Sequence, residues 1–250
     1  MRVDQADGDD EPARPADAAD TPEVPNRYRA GADQADASLR GSFAIAYRGG
    51  VEAVNRRYAI DQGYERIREI EDKTVTPAMR RIEAEDPERH LAGLENRLKG
   101  KDRFAEKVEF DVSKKGISVD EAIANVKDAI RYTFCYTEHR YTEGVYADCD
   151  RLEAAGYELV ERRNSWSKEQ YKGINARWRI PESGQLFEVQ FHTRSSFDAK
   201  EFTHEAYEKL RVGVPSPAEQ KELEEFQKRV TALVQIPAGA EDIPDYLEER

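Results

Sequence analysis

Between residues 171 and 193 apolar and polar positions alternate with a period of two. Ile174, Ala176, Trp178 and Ile180 interleave with Asn175, Arg177 and Arg179; further on, Phe187, Val189 and Phe191 interleave with Glu188, Gln190 and His192. Successive side chains of a strand point to opposite faces, so each set has a face of its own. Pro181 and Gly184 supply a turn between the two runs. The pattern predicts a hairpin. A slip of one residue would turn one apolar set outward, so apolar must face apolar across the pair. That register puts Arg177 opposite Glu188 and Asn175 opposite Gln190. One face then packs a core; the other carries an acid, an amide, an imidazole and guanidinium groups. A solvated sheet face would carry the same residue types.

Elsewhere the spacing is helical or strand-like in turn. Val51, Val54 and Tyr58 share one helical face, and Tyr64, Ile67 and Ile70 another. Thr76-Pro77 reads as an N-cap followed by proline at the first helical position, opening a helix with Met79 and Ile82. Residues 91–97 fit either a helix end or a strand. Ser118 and Glu121 have capping-box spacing for a helix running to about Lys127. The β-branched and aromatic content of residues 129–136 predicts a strand. Residues 142–155 read as a helix closed by Gly156, residues 157–163 as a short strand, and residues 195–211 as a helix carrying Phe197, Phe202 and Tyr207. Ser216-Pro217 with Glu219 starts a helix whose Leu223, Phe226, Val230 and Leu233 form an apolar stripe, read as core packing. Residues 1–25, rich in Ala, Asp and Pro, are expected to be disordered. The order predicts one α/β-type domain, α+β in arrangement: a sheet of four or five strands, at least one pair antiparallel, covered by helices. The sequence holds no internal repeat.

Composition narrows the function classes. Of the 250 residues 36% are charged, and the mean hydropathy of -0.86 assigns much of the length to solvated helix surface or tail. No apolar run approaches the roughly 20 residues of a membrane span, so no membrane partner is expected. The opening MRVDQADGDD lacks the apolar region of a signal peptide, which leaves open a leader removed from a precursor. The net charge is -12, and residues 1–25, with eight acids against Arg2 and Arg14, hold half of it. A sequence-blind nucleic-acid binder needs a basic footprint that this balance does not supply; a local basic cleft is compatible with it. Cys135 and Cys149 lack metal-type spacing. They read first as free buried thiols, and otherwise as one disulfide suited to an oxidising compartment.

Candidate chemistry lies in three places. Arg97, Lys99, Lys101, Arg103 and Lys107 are five cations in one short segment, able to clamp a polyphosphate: arginine through its planar fork, lysine as a mobile point charge. A solvated helix face would explain them too. Asp128 enters the strand 129–136, and magnesium takes one or two carboxylates together with phosphate oxygens. Glu188 lies in mid-strand between apolar neighbours, where glutamate is depleted. There is no Walker loop or GxGxxG. His192 and His204 do not make a zinc site, since His204-Glu205-Ala206-Tyr207-Glu208 lacks the second histidine of HExxH. No GxSxG elbow supports a nucleophilic triad.

Five motifs in order resemble the synthetase domain of RelA/SpoT-type alarmone synthetases. They are Arg97-Leu98-Lys99 with Lys107; Asp128; Gln170-Tyr171-Lys172-Gly173-Ile174-Asn175; Glu188-Val189-Gln190-Phe191-His192-Thr193; and His204 with Tyr207. The resemblance covers about residues 90–210. It implies a mixed five-stranded sheet flanked by helices, a nucleotidyltransferase-like synthetase fold. It also implies a reaction, transfer of the β,γ-pyrophosphoryl group of ATP to the 3′-hydroxyl of a purine nucleotide such as GTP, GDP or ATP, giving (p)ppGpp-like products and AMP. On this resemblance Arg97, Lys99 and Lys107, with Arg103 where the family has serine, bind the ATP polyphosphate. Arg97 can also stack on adenine, with Arg140 as a second adenine-facing arginine. Asp128 and Glu188 hold Mg2+, or Glu188 assists deprotonation of the 3′-hydroxyl. Tyr171 stacks on the acceptor base, Asn175 sits near the acceptor phosphates, and Arg177, Gln190 and His192 belong to the same face.

The departures bear on acceptor choice more than on reaction type. Asn175 stands where the family has histidine and His192 where it has arginine, and the short Asp128-to-Arg131 spacing leaves Arg131 without a counterpart. The implied organisation is an acidic tail (1–26), N-terminal helices (27–89), the synthetase (90–236) and an acidic C-terminal tail (237–250), a stand-alone synthetase. The alternative acceptor is the 3′ end of tRNA, as in toxin-type small synthetases, against which the acidity counts. The Ala/Asp/Pro-rich leader resembles the stretch just after a cleaved signal in exported bacterial proteins, so a secreted mature form is expected ahead of a cytoplasmic one.

Overall fold

A long helix opens the computed structural model, which describes residues 49–248; the expectations for residues 1–26, for the part of the N-terminal helices over 27–48 and for residues 249–250 lie outside them. Helix α1 spans residues 49–70, widens into a π-helical turn at Glu71–Val75 and continues as α2, Thr76–Ala84. Then come β1 (Arg89–Ala92), α3 (Lys101–Lys115), α4 (Val119–Ala124), β2 (Arg131–Tyr136), α5 (Tyr141–Ala154), β3 (Glu158–Asn164), β4 (Ile174–Arg179), β5 (Leu186–Thr193), α6 (Arg194–Val212), α7 (Pro217–Thr231) and β6 (Tyr246–Leu247). Residues from Ala53 on form one unit.

The six strands make a single sheet in the order β1-β2-β5-β4-β3-β6. β2 and β5 pair in parallel and every other neighbour is antiparallel. The fold is thus a mixed α+β arrangement with one strand more than the five expected. The ambiguous stretch at 91–97 contributes the end of β1 and then a 3₁₀ turn at Leu94–Asn96, while the two-residue β6 comes from residues too few to show a pattern. The hairpin has the expected register, with Arg177 opposite Glu188 and Asn175 opposite Gln190.

One face of the sheet is core. Tyr132, Phe134 and Tyr136 of β2, Phe187, Val189 and Phe191 of β5, and Ile174, Ala176 and Trp178 of β4 are buried with Ile60, Ile67, Met79 and Ile82 of α1 and α2, and with Val145 and Leu152 of α5. The other face keeps the polar set, and α6 packs against β2 and β5 there, His192 meeting the edge of Phe197.

Three expectations need correction. Thr76-Pro77 does not open a helix: Val75 is already helical, and the Thr76 N–H bonds the Glu71 carbonyl five residues back. Proline has no N–H for the α-helical bond and its ring crowds the preceding turn, and the wider π turn accommodates both. Val51, Val54 and Tyr58 are helical as expected, on an exposed stretch of α1. Helix α4 is capped as expected, the Ser118 hydroxyl accepting from the Glu121 N–H at 3.2 Å, but it stops at Ala124 instead of Lys127. The α7 stripe packs beside α6, with Phe226 and Phe202 rings 5.7 Å apart. Its last member Leu233 is 86% exposed, because α7 ends at Thr231 and Val234 turns inward in its place. Cys135 and Cys149 are free and buried, and burial pushes their thiols up to about 12 and about 11.

Candidate active site

On the polar face cross-strand neighbours line up in rows. One row runs Arg131, Glu188, Arg177 and Glu161 across β2, β5, β4 and β3, alternating in charge; the next runs Thr133, Gln190, Asn175 and Arg163. Glu188 is buried in mid-row. A carboxylate out of water needs partners, and it has them: Gln190 Nε2 donates to its Oε1 at 2.6 Å, and Arg131 Nε lies 3.4 Å from the same oxygen. Arg177 turns to Glu161, which also takes Arg163.

Asp128 reaches the same place from the turn before β2. The segment holding Lys99 is stitched alongside: the Lys99 N–H bonds the Ala129 carbonyl at 2.9 Å and the Arg131 N–H bonds the Arg97 carbonyl at 2.8 Å. Lys99 Nζ therefore donates to Asp128 Oδ2 at 2.8 Å, and Arg131 Nη2 to the same oxygen at 3.1 Å. Burial would raise the Asp128 carboxyl, but the Lys99 ammonium and then Arg131 outweigh it and hold the group below its ordinary value.

Tyr171 stands beside this pair, its hydroxyl pinned. It donates to Asn175 Oδ1 at 2.8 Å and lies 2.9 Å from His192 Nε2, whose Nδ1 is 2.8 Å from the Ser196 hydroxyl. The tyrosine and imidazole rings meet edge to face, centroids 5.4 Å apart. Gly173 makes room: at φ +147° it lies against the imidazole, and a Cβ there would come within 2.7 Å of it. Burial, and then Lys200, pull His192 down to about 3, so the ring is neutral. Asn175 and His192, two of the departures from the motif pattern, thus hold the same hydroxyl.

The basic segment does not converge as one clamp. Lys99 alone of its cations meets the acids; Arg97 pairs with the buried Glu71 at 2.8 Å, Lys101 with Asp61 at 3.1 Å, Arg103 with Glu208 at 3.7 Å and Lys107 with Asp111 at 3.0 Å. Arg140 lies beyond the far end of β2 from Asp128, roughly 20 Å along the strand direction, where it pairs with Asp86, Glu88 and Glu143. Two residues went unassigned in the sequence. Arg131 bridges both acids. Lys200 of α6, its ammonium lowered by burial, lies 5.1 Å over the Phe197 ring. Arg131 becomes readable only once β2 is known to lie beside β5.

Among the described residues no cluster of three or more His, Cys, Asp or Glu could hold a metal. Asp128 and Glu188 already meet at one cation, the Arg131 guanidinium, and a two-carboxylate set fits magnesium completed by phosphate oxygens.

No family model and no curated protein matches the chain. Solved structures similar to it include small alarmone synthetase 1 from Bacillus subtilis bound to its product pppGpp, at 17% identity over 68% of this chain and 89% of that one, TM-score 0.46. Small alarmone synthetase 2 from the same organism gives 13% identity, coverage of 69% and 89%, and TM-score 0.47. A GTP pyrophosphokinase family protein from Streptococcus pneumoniae gives 15%, 71% and 84%, and 0.42.

Proposed function

We propose that the chain is an ATP-dependent nucleotide pyrophosphotransferase acting on the 3′-hydroxyl of a purine nucleotide. The observation that carries this reading is the meeting of Asp128 and Glu188, from separate elements, at one cationic point beside Lys99, on the sheet face that also holds Tyr171. The order of the five motifs supports it.

The acceptor oxygen attacks the β-phosphorus of ATP. The bond from that phosphorus to the α,β-bridging oxygen breaks, AMP leaves, and the hydroxyl proton passes to a base. In this reading Glu188, hydrogen-bonded by Gln190, takes it. Lys99 neutralises phosphate oxygens, and the Tyr171 ring, fixed by Asn175 and His192, offers a face to the acceptor base. Asp128 and Glu188 would hold magnesium, which when bound would supply charge neutralisation on the transferred phosphates. Such a reaction asks mainly for positioning and charge.

The test incubates the protein with labelled ATP, Mg2+ and GTP, GDP or deacylated tRNA. The expected result is labelled purine nucleotide with AMP released. Asp128→Asn and Glu188→Gln should each lower the rate about 10²–10³-fold with unchanged circular dichroism. Wild-type turnover in a folded variant overturns that residue's role; transfer to tRNA alone overturns the acceptor class.

A further inference from the structure

Two carboxylates brought together without a counter-charge repel each other. Here the counter-charge belongs to the chain itself: Arg131 reaches Asp128 Oδ2 through Nη2 at 3.1 Å and Glu188 Oε1 through Nε at 3.4 Å. The hold is loose on one side, because Nε is buried and makes no hydrogen bond, and a buried donor left unmet carries a cost. Each acid also keeps a partner of its own, Lys99 for Asp128 and Gln190 for Glu188, so both would stay in place if the guanidinium moved away. A divalent cation taking both carboxylates needs the lone pairs that Arg131 now faces.

We propose that Arg131 is the resident counter-cation of the acid pair, occupying the metal locus of the ligand-free protein and leaving it when a nucleotide polyphosphate arrives. The inference rests on the pyrophosphotransferase reading of Asp128 and Glu188. The phosphates offer the displaced guanidinium a bidentate partner, so metal and nucleotide binding are positively coupled through one side chain. The metal alone binds weakly, since only the fraction of molecules with Arg131 withdrawn is competent.

The test measures Mn2+ binding to the full chain from the free-ion electron paramagnetic resonance signal, with and without a non-hydrolysable ATP analogue. Without nucleotide, Arg131→Gln should bind Mn2+ about tenfold more tightly than wild type, as expected if the guanidinium holds the locus in about nine molecules of ten. Arg131→Lys, which keeps the charge, should stay close to wild type. The analogue should enhance Mn2+ affinity more in wild type than in Arg131→Gln. A folded Arg131→Gln that binds Mn2+ no more tightly than wild type, while Asp128→Asn abolishes binding, overturns the role of Arg131 and leaves the reaction standing. Unchanged Mn2+ affinity in Asp128→Asn overturns the metal reading of the acid pair, and the role of Arg131 with it.

Discussion

At the scale of single residues the imidazole of His192 makes a sharp test. The ring has no exposed surface, and burial lowers it to about 3 in the folded chain against about 6.5 for an unconstrained histidine. Between those values the unfolded chain binds a proton that the folded chain refuses. Stability therefore falls as pH drops below about 6.5, and the contribution is complete above it. From pH 7 to pH 5 this one group should remove about 2 kcal/mol. Asp128, held low by Lys99 despite burial, acts in a lower window: its stabilisation is lost only as pH falls through its depressed folded value. Urea denaturation at pH 7, 6 and 5 checks the histidine. Across that range wild type should lose about 2 kcal/mol more than His192→Gln, whose dependence should be clearly flatter. Equal slopes in the two proteins would remove His192 as the titrating group. Asn175 and His192 stood out in the sequence because they break the motif pattern. Their shared attachment to the Tyr171 hydroxyl did not, because it depends on the register between β4 and β5 and on the room left by Gly173.

At the scale of elements the π turn joining α1 and α2 explains the clearest misreading. Thr76 before Pro77 is the ordinary signature of a helix start, and nothing local distinguishes that from a helix passing through. What holds the turn is distant in sequence. The buried Glu71 accepts from Tyr132 of β2 at 2.7 Å, from Arg97 at 2.8 Å and from the Thr76 hydroxyl. Burial raises the Glu71 carboxyl, yet the Thr76, Tyr132 and Arg97 hydrogen bonds hold it below its ordinary value. Glu71→Ala leaves the Tyr132 hydroxyl without this acceptor and should cost about 2–3 kcal/mol. Glu71→Gln keeps a carbonyl oxygen there and should cost less. Urea midpoints decide the order of the two; an alanine variant as stable as wild type would mean that the turn is held by backbone alone. The same turn ties Arg97 to Glu71, so a cation expected on polyphosphate is engaged elsewhere in this state. The hairpin, by contrast, was legible because both strands carry period-two alternation and lie next to each other in sequence. The parallel pairing of β2 with β5, which brings Arg131 to Glu188 and leaves Arg140 at the opposite end, joins strands separated by α5, β3 and β4, and no periodicity reports it.

At the scale of the whole molecule the sheet would end at β3 without the last residues described. Residues 237–248 run along that edge. The Asn164 amide donates to the carbonyls of Ala240 and Ile243, both at 2.8 Å, Arg162 Nε to the Pro244 carbonyl at 3.0 Å, and Arg179 grips Glu248 at 3.0 and 2.6 Å. Val234, Ala240 and Ile243 are buried beneath. β6 then pairs Leu247 with Glu161 and Tyr246 with Arg162. An uncovered strand edge presents unmet N–H and C=O groups and invites pairing with another chain. β3 also supplies Glu161, the last member of the charge-alternating row that reaches Glu188 through Arg177, so the edge and the acid pair share one sheet. Ile243→Ala should cost about 2–4 kcal/mol through the cavity it leaves, read as a lower urea midpoint. Truncation after Ala232 should lower the midpoint at least as far and shift gel-filtration elution toward larger species, because it removes Val234, Ala240 and Ile243 from the core and uncovers the β3 edge. If the fold depends on this edge in the way the contacts indicate, Ile243→Ala should destabilise without changing elution, since β6 and its hydrogen bonds remain. A truncated chain with the wild-type midpoint and elution would show that β3 needs no cover.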